Sequence, residues 1–205
     1  MDIMVGIENS IQEKDIEKLA GAGATEFFCG IMPADWVSLY NYAISLNKRE
    51  FKEHQFKSFE KLAETTRKIH QLKKKIAVAF NAHYYTKEQF PLLEKYLRSL
   101  EEIKVDALIA GTMPLLLLIK NMNLKLDIYM SGEAAAYSSK AVGFFRKYGV
   151  KRIIFPRDLS IAEISRIINN NSGSGLEYEA FAMSERCVTS SGYCRTTHGY
   201  STVNF

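Results

Sequence analysis

The feature that most constrains the fold of this chain is the alternation of short apolar runs with longer amphipathic stretches. Amphipathic stretches of about ten to fifteen residues between short β-branched runs are typical of βαβ units around a parallel sheet. The pattern therefore predicts an α/β protein with about seven β/α units. The predicted strands lie near Ile3–Ile7, Glu26–Cys29, Ile76–Phe80, Ala107–Ala110, Leu126–Tyr129, Arg152–Phe155 and Leu176–Phe181.

Two architectures use such units, the TIM-type barrel and the doubly wound open sheet. The repeats are evenly spaced, and no GxGxxG turn follows the first predicted strand, which favours the barrel. A TIM-type barrel needs eight strands, so we expect this one to be incomplete at its C-terminus. The missing strand would come from residues beyond Phe205 or from a partner chain. Residues 1–205 are expected to form a single domain.

Several helix starts can be predicted from the residues that satisfy free backbone amides. Capping boxes pair a hydroxyl with Glu or Gln three residues later, and Pro114 after Thr112 suits the first turn of a helix. Apolar residues then recur at helical spacing, so that each helix has one face for the sheet. The boxes are Ser10 with Glu13, Thr86 with Gln89 and Ser160 with Glu163; the apolar faces include Phe90, Leu93, Leu97 and Leu100, and Ile161, Ile164 and Ile168.

The unit between the second and third predicted strands is longer than the others. Residues from about 32 to 57 hold extra aromatic and polar side chains before Ser58, where the packing helix is expected to start. We interpret this stretch as an insertion on the C-terminal face of the barrel, where substrate loops usually lie.

Polar residues follow the predicted strands and are candidates for a site on the same face. At Asp158 a helix begins, so capping is the simpler interpretation there. The substrate-pocket candidates are Asn81, His83, Glu133 and Arg157, and an arginine at such a place suits a carboxylate or a phosphate. Glu8 and Ser131 also follow apolar runs.

The C-terminal segment, residues 184–205, carries Cys187 and Cys194 on either side of Gly192. A turn at Gly192 could bring both sulfurs to one metal centre, although two thiols packed under a loop are an equal alternative. Cys29 ends the second predicted strand, and a third ligand there competes with the simpler interpretation of a small core residue. His198 could serve as a ligand, or could belong to a mobile tail.

Several segments resemble the peptidase U32 family. Its pattern of Glu-x-Phe, a cysteine, four residues, Gly, one residue and a second cysteine is matched in order by Glu179, Phe181, Cys187, Gly192 and Cys194. Residues 23–30 resemble its Gly-Ala-Asp-x-Val-Tyr-x-Gly stretch, and Phe80-Asn81 resembles its strand that ends in Asn. Residues 105–109 and 157–160 resemble its Val-Asp-Ala-Leu-Ile and Arg-Glu-Leu-Ser segments.

This resemblance implies a 4Fe-4S iron-sulfur cluster on Cys187 and Cys194. Cluster-binding members use four cysteines, so further ligands would come from beyond Phe205 or from a partner. It also implies hydroxylation or another modification of RNA bases or of a quinone-like ring. The alternatives are a metal-dependent collagenase-like peptidase and a non-catalytic subunit of a heteromeric pair. No HExxH stretch is present to favour proteolysis.

The N-terminal sequence, the hydropathy and the net charge constrain the expected cellular location and the class of substrate. Met1 to Ser10 has no basic region followed by an apolar core, and no apolar run approaches the roughly 20 residues of a membrane span. We therefore expect a cytoplasmic protein without membrane contact, with RNA or a small aromatic molecule as its substrate. The net charge is only +4, and its densest run, Lys73 to Lys75, is more typical of a solvated helix end than of an RNA contact. The ending Tyr200–Phe205 carries no helix signal, which favours truncation.

Overall fold

In the computed structural model, which describes residues 1–42, 44–49, 51–183 and 189–194, seven parallel strands follow one another around a curled sheet. The strands in spatial order are β1 (Met4–Gly6), β2 (Glu26–Ile31), β4 (Lys75–Phe80), β5 (Ala107–Ala110), β6 (Asp127–Met130), β7 (Arg152–Ile154) and β8 (Glu177–Glu179). The order never reverses, so a doubly wound sheet is excluded. All seven predicted strands are present, with ends shifted by up to two residues.

An eighth short strand, β3 (Gln55–Phe56), pairs with the end of β2 beside Gly30 and Ile31. It lies inside the predicted insertion, and two residues are too few to give a strand signal in the sequence. The same insertion contains a short helix, α2 (Ala34–Tyr40). The remaining helices are α1 (Glu13–Gly21), α3 (Phe59–Gln71), α4 (Phe90–Ile103), α5 (Met113–Met122), α6 (Ser139–Arg146) and α7 (Ile161–Asn170). None of the helices in the described ranges is long and apolar enough to cross a membrane.

The two faces of the sheet pack in different ways. Alternate strand residues such as Phe27, Val78 and Leu108 belong to one large core with the helices. The residues between them form a second, separate cluster on the opposite face: Ala77, Ala79, Ala107, Ile109, Tyr129 and Ile154. This second cluster consists of strand residues alone, so the inner face of the sheet packs against itself, as it does in a barrel.

An ion pair between β2 and β7 shows how strongly the sheet curls. Arg152 donates from both terminal nitrogens to Glu26, over 2.5 and 2.8 Å. Three strands separate β2 from β7, and in a flat sheet four steps of about 4.8 Å would hold them about 19 Å apart. The strands must therefore curve round on themselves. Along the described residues β1 and β8 end the path and do not pair with each other. The protein is thus a curled half-barrel, in agreement with the expected incompleteness.

Most of the predicted helix starts are confirmed. Ser58, Thr112 and Ser160 accept hydrogen bonds from backbone amides three residues later, and Thr86 forms its capping box with Gln89 just before α4. The box predicted for Ser10 and Glu13 is wrong. The Ser10 hydroxyl instead donates to the carboxylate of Glu8, and α1 is capped by Gln12 and Asp15.

One predicted helix face is also wrong in part. In α7, Ile164 and Ile168 pack against the core as expected, but Ile161 is 82% exposed. The fully buried residue of this helix is Ile167, so the core-facing stripe runs through 164, 167 and 168 at the i, i+3, i+4 spacing. Ile161, in the first turn, lies outside that stripe.

The inner end of the half-barrel, at the N-terminal ends of the strands, holds a charged cluster. Arg152 also donates to Glu177 and Glu179 of β8, and its guanidinium carbon lies 4.1 Å from the ring centroid of Tyr129. Burial raises the pKa of Glu179, while the Arg152 charge opposes that rise. Three carboxylates therefore surround one guanidinium, and β8 is joined to β2 through it.

We predict that Arg152→Met destabilises the protein by about 3–5 kcal/mol at neutral pH, because buried carboxylates lose their counter-charge. The folded-state pKa of Glu179 lies above its unfolded value and should rise further in the variant. Its favourable contribution is therefore complete at pH below the unfolded pKa and is lost as pH rises through the folded pKa. The penalty of the substitution should shrink as the pH is lowered. Urea unfolding at neutral pH and at about pH 5 measures both effects.

Lys151→Met is the matched control, since Lys151 pairs with Asp127 where both side chains are about 40% exposed. Such a pair is worth about 1 kcal/mol or less. Equal losses in the two variants would show that the Arg152 cluster does not hold the half-barrel together.

Candidate functional site

The C-terminal ends of the strands, with the loops that follow them, form the mouth of the half-barrel. Asn81 follows β4 and Ser131 follows β6, and the Asn81 amide donates to the Ser131 hydroxyl over 3.3 Å. Ser131 in turn accepts from the backbone amide of Glu133. Hydrogen bonds thus connect loops from two non-adjacent strands across the mouth. We call Asn81, His83, Ser131, Glu133 and Arg157 the mouth cluster.

Glu133 is the centre of this cluster. Its Oε2 lies 3.1 Å from His83 Nε2 and accepts a hydrogen bond of 3.3 Å from the backbone amide of Gly192. Its Oε1 lies 4.0 Å from a terminal nitrogen of Arg157. The Glu133 side chain is only 11% exposed. Of the pocket residues predicted from the sequence, His83 and Arg157 therefore contact Glu133, and Asn81 is linked to it through Ser131.

The surroundings of His83 favour its neutral form. Burial lowers the pKa of His83, the charge of Lys48 lowers it further, and Glu133 opposes both. Although Nε2 lies close to the Glu133 carboxylate, the angle between the two groups is unsuitable for a hydrogen bond. This nitrogen therefore has no hydrogen-bond partner among the described residues. An imidazole beside a carboxylate can accept a proton in its neutral form and deliver it again from the imidazolium form.

Arg157 and Asp158 extend the cluster from the end of β7. The Arg157 guanidinium lies 5.8 Å from the ring centroid of Phe181, which follows β8. The Tyr137 hydroxyl lies 2.7 Å from Asp158 Oδ2 and 3.0 Å from the Ser191 carbonyl oxygen. Burial raises the pKa of Asp158, but hydrogen bonds from Tyr137 and from backbone amides outweigh it and hold that pKa below the usual value. Asp158 therefore ties loops together rather than only capping a helix.

Residues 189–194, the described part of the cysteine-bearing segment, are docked on the mouth. The Tyr193 amide donates to the Ser190 carbonyl, closing a turn in which Gly192 has φ +82°. A Cβ at Gly192 would lie 2.7 Å from the Ala135 Cβ. The predicted turn at Gly192 is confirmed, and it brings the chain that leads to Cys194 against Glu133.

The predicted metal ligands fall in different places. Cys29 is fully buried in the core between sheet and helices, where burial raises the pKa of its thiol to about 12. These are the surroundings of a core thiol. Cys194 is partly exposed beside the mouth. Cys187 and His198 lie outside the described residues. No group of three or more His, Cys, Asp or Glu able to hold a metal occurs within the described ranges, so these residues alone do not fit an iron-sulfur cluster.

The predicted insertion contributes the loop of residues 44–49, which lies over the mouth between β2 and β4, but sequence reasoning did not single out its residues. The backbone amide of Lys48 donates to Asn81, and Arg49 enters the half-barrel next to Phe28. The sequence holds a signal for this loop: Asn47 and Gln55 are amides that cannot be buried unless they are paired, and they pair with each other. Tyr137 was also missed, and no local pattern marks it.

The family model and the similar proteins both place this chain in one family. The model of Peptidase family U32 matches residues 13–204. The tRNA hydroxylation protein P of Haemophilus influenzae is 30% identical over 128 residues, which are 61% of this chain and 26% of that protein. Its namesake from Escherichia coli K12 is 28% identical over 156 residues, 75% of this chain and 32% of that protein. The chain thus spans about a quarter to a third of these curated relatives.

Solved structures agree on the fold. The U32 peptidase Mk0906 superposes with a TM-score of 0.57 over 88% of this chain and 68% of that one, at 11% sequence identity. At that identity the likeness shows a shared fold and nothing about substrates.

We predict that Gly192→Ala releases the turn from the mouth, because the added Cβ meets Ala135 in a backbone conformation that disfavours side chains. The Gly192 amide hydrogen, bonded to Glu133, reports this directly. Position 192 keeps an amide in the variant, and its exchange with solvent should be at least about tenfold faster than in the wild type, equivalent to about 1.4 kcal/mol.

Gly149→Ala is the control, since Gly149 has a similar φ of +78° but open space around its Cβ position. It should lose about 1 kcal/mol of stability and leave exchange at position 192 unchanged. Unchanged exchange in Gly192→Ala would mean that the turn is not held against Glu133.

Proposed function

Because the chain belongs to peptidase family U32, we propose that it is the barrel portion of an enzyme that hydroxylates bases in tRNA. The observation that carries the proposal is the similarity to relatives named for tRNA hydroxylation, at 28–30% identity over 61–75% of the chain. A cytoplasmic location, where tRNA is found, belongs to the same proposal. A quinone-like ring as substrate is the less supported alternative, since the relatives are named for tRNA.

The mouth cluster supports modification chemistry better than peptide cleavage. A serine peptidase needs its hydroxyl next to a base. Here the Ser131 hydroxyl is bonded to Asn81 and to a backbone amide, while His83 lies against Glu133. The histidine and the serine of the mouth are therefore engaged separately. This arrangement disfavours a serine-peptidase mechanism at the mouth.

The same residues suit the handling of a polar ring and its protons. Glu133 is positioned by the Gly192 amide and lies between His83 and Arg157, where its carboxylate and the His83 imidazole can act together as acid–base groups at a bound ring. Arg157 can bind a phosphate or carboxylate group at the same mouth. In this proposal Glu133 and His83 move protons at the substrate, and Arg157 orients it.

An iron-sulfur cluster is a second element of the proposal. Cys187 and Cys194 would supply two thiolates, and the remaining ligands would come from beyond Phe205 or from a partner, since Cys29 is buried in the core. When bound, such a cluster supplies electron-transfer chemistry. The docked turn at Gly192 supports this placement, because it holds Cys194 beside the mouth rather than at a distance.

The proposal is tested in Escherichia coli that lacks its own tRNA hydroxylation protein P. Expression of the gene that encodes this chain, with any sequence that follows Phe205, should restore a tRNA nucleoside that carries one additional oxygen atom, measured by mass spectrometry of digested tRNA. Glu133→Gln should reduce the restored product at least about a hundredfold, a loss typical of removing a general acid or base. The Cys187→Ala, Cys194→Ala double variant should abolish it, and anaerobically purified protein should lose its iron and sulfide with that change.

Other outcomes would favour the alternatives. Unmodified tRNA together with cleavage of casein or gelatin by the purified chain would contradict the proposal and favour the peptidase. Binding of tRNA without restored hydroxylation would favour a non-catalytic partner subunit. Full product from Glu133→Gln would remove the mouth cluster from the mechanism.

A further inference from the structure

Two arginines point into the half-barrel, and their surroundings differ sharply. Arg152, at the inner end, is surrounded by Glu26, Glu177 and Glu179. Arg49, at the mouth, forms no ion pair within 4.0 Å with any carboxylate of the described residues, and its Nε is buried without a hydrogen-bond partner. A buried donor without a partner is rare in proteins and calls for an explanation.

The inner face of the sheet makes room for Arg49. Gly6 and Gly30 flank Phe28 on β1 and β2, and the guanidinium lies 5.2 Å from the Phe28 ring centroid. A Cβ at Gly30 would lie 2.8 Å from Arg49 Cδ, and one at Gly6 would lie 3.5 Å from a terminal nitrogen. Two positions that face into the half-barrel thus lack side chains where the arginine passes. Its aromatic contact leaves the edge of the guanidinium available for a ligand.

The loop that carries Arg49 is held firmly in place. The Asn47 and Gln55 amides exchange two hydrogen bonds of 2.9 Å while both side chains are buried. The Asn47 oxygen also accepts from the Arg49 amide. Tyr85 donates to the carbonyl of Leu46, which is fully buried. Because these contacts are made by the loop and not by the guanidinium, Arg49 is positioned before any ligand arrives.

From this geometry we infer that Arg49 binds an oxyanion group, a carboxylate or a phosphate, of a ligand that enters the mouth of the half-barrel. The planar guanidinium fork matches both groups, and either would supply the counter-charge that the described residues do not. Burial lowers the pKa of Arg49, as it should for a desolvated cation without a close partner, with the charge of Glu8 opposing.

The nearby polar groups are consistent with an added anion. Glu8, the carboxylate that acts on Arg49 electrostatically, accepts a hydrogen bond from Ser10 and lies 3.7 Å from His54. His83, the other mouth residue whose buried ring nitrogen has no hydrogen-bond partner among the described residues, has its pKa lowered by burial, which disfavours a second positive charge that would compete for the anion. The oxyanion could belong to a free small molecule or to the RNA backbone, and these two sources can be separated by experiment.

The test measures binding of three probes to the purified chain: succinate, inorganic phosphate and unmodified tRNA. Calorimetric titrations are made at constant ionic strength set with chloride. Arg49→Met keeps the stem of the side chain on Phe28 and removes the charge, and Arg49→Lys keeps the charge and removes the fork. Both should weaken at least one probe about tenfold or more, the lysine variant less. Arg98→Gln removes an exposed guanidinium from α4 and should leave all three affinities unchanged.

The outcomes separate the two sources and can overturn the inference. Loss of succinate or phosphate binding assigns the site to a free small anion, and loss confined to tRNA assigns it to an RNA phosphate. Without ligand, Arg49→Met should melt no lower than the wild type, whereas an arginine with a purely structural role would lose stability on substitution. The inference fails if both Arg49 variants bind all three probes as the wild type does, or if the wild type binds none of them. It is independent of tRNA hydroxylation, because no step of the test measures modified nucleosides.

Discussion

The ion pair between Arg152 of β7 and Glu26 of β2 is the contact on which the rest of the structure depends. A flat sheet would hold these strands about 19 Å apart, and the paired side chains meet only because the sheet curls. The small residues Ala77, Ala79 and Ala107 leave the interior space that Arg152 and Tyr129 occupy. Since Glu177 and Glu179 share the same guanidinium, the pair also fixes β8, the last strand described.

The curl fixed at the inner end determines what the opposite end can do. Loops after β4, β6 and β7 converge only because their strands turn toward one another, and Glu133 then lies between His83 and Arg157. The two inward arginines lie at opposite ends of the half-barrel: Arg152 at the inner end, which we call the closed end, and Arg49 at the mouth. Arg152 is saturated by carboxylates and stabilises the fold, whereas Arg49 lacks such partners among the described residues and is available for a ligand. The run Lys73 to Lys75 leads into β4 at the closed end, away from the mouth.

The parts of the structure that follow from local pattern could be predicted from the sequence. Strands appeared where apolar runs stood, and Thr112 and Ser160 capped helices because capping depends on residues three apart. The positions of Asn81, His83, Glu133 and Arg157 at strand ends were enough to predict one shared site. Arg49 and Tyr137 could not be found in this way. Arg49 is positioned by the buried amide pair of Asn47 and Gln55, in a loop without periodicity. Tyr137 acts by a hydrogen bond to Ser191, which is far from it along the chain.

The proposal that tRNA approaches the mouth of the half-barrel is tested most directly by site-specific photo-crosslinking. A benzoylphenylalanine at Tyr84, which is 72% exposed beside His83, would stand at the mouth, and one at the exposed Lys125, which precedes β6, would stand at the closed end. The account predicts that tRNA crosslinks to position 84 and not to position 125. Crosslinking at position 125 alone, or equally at both, would contradict it.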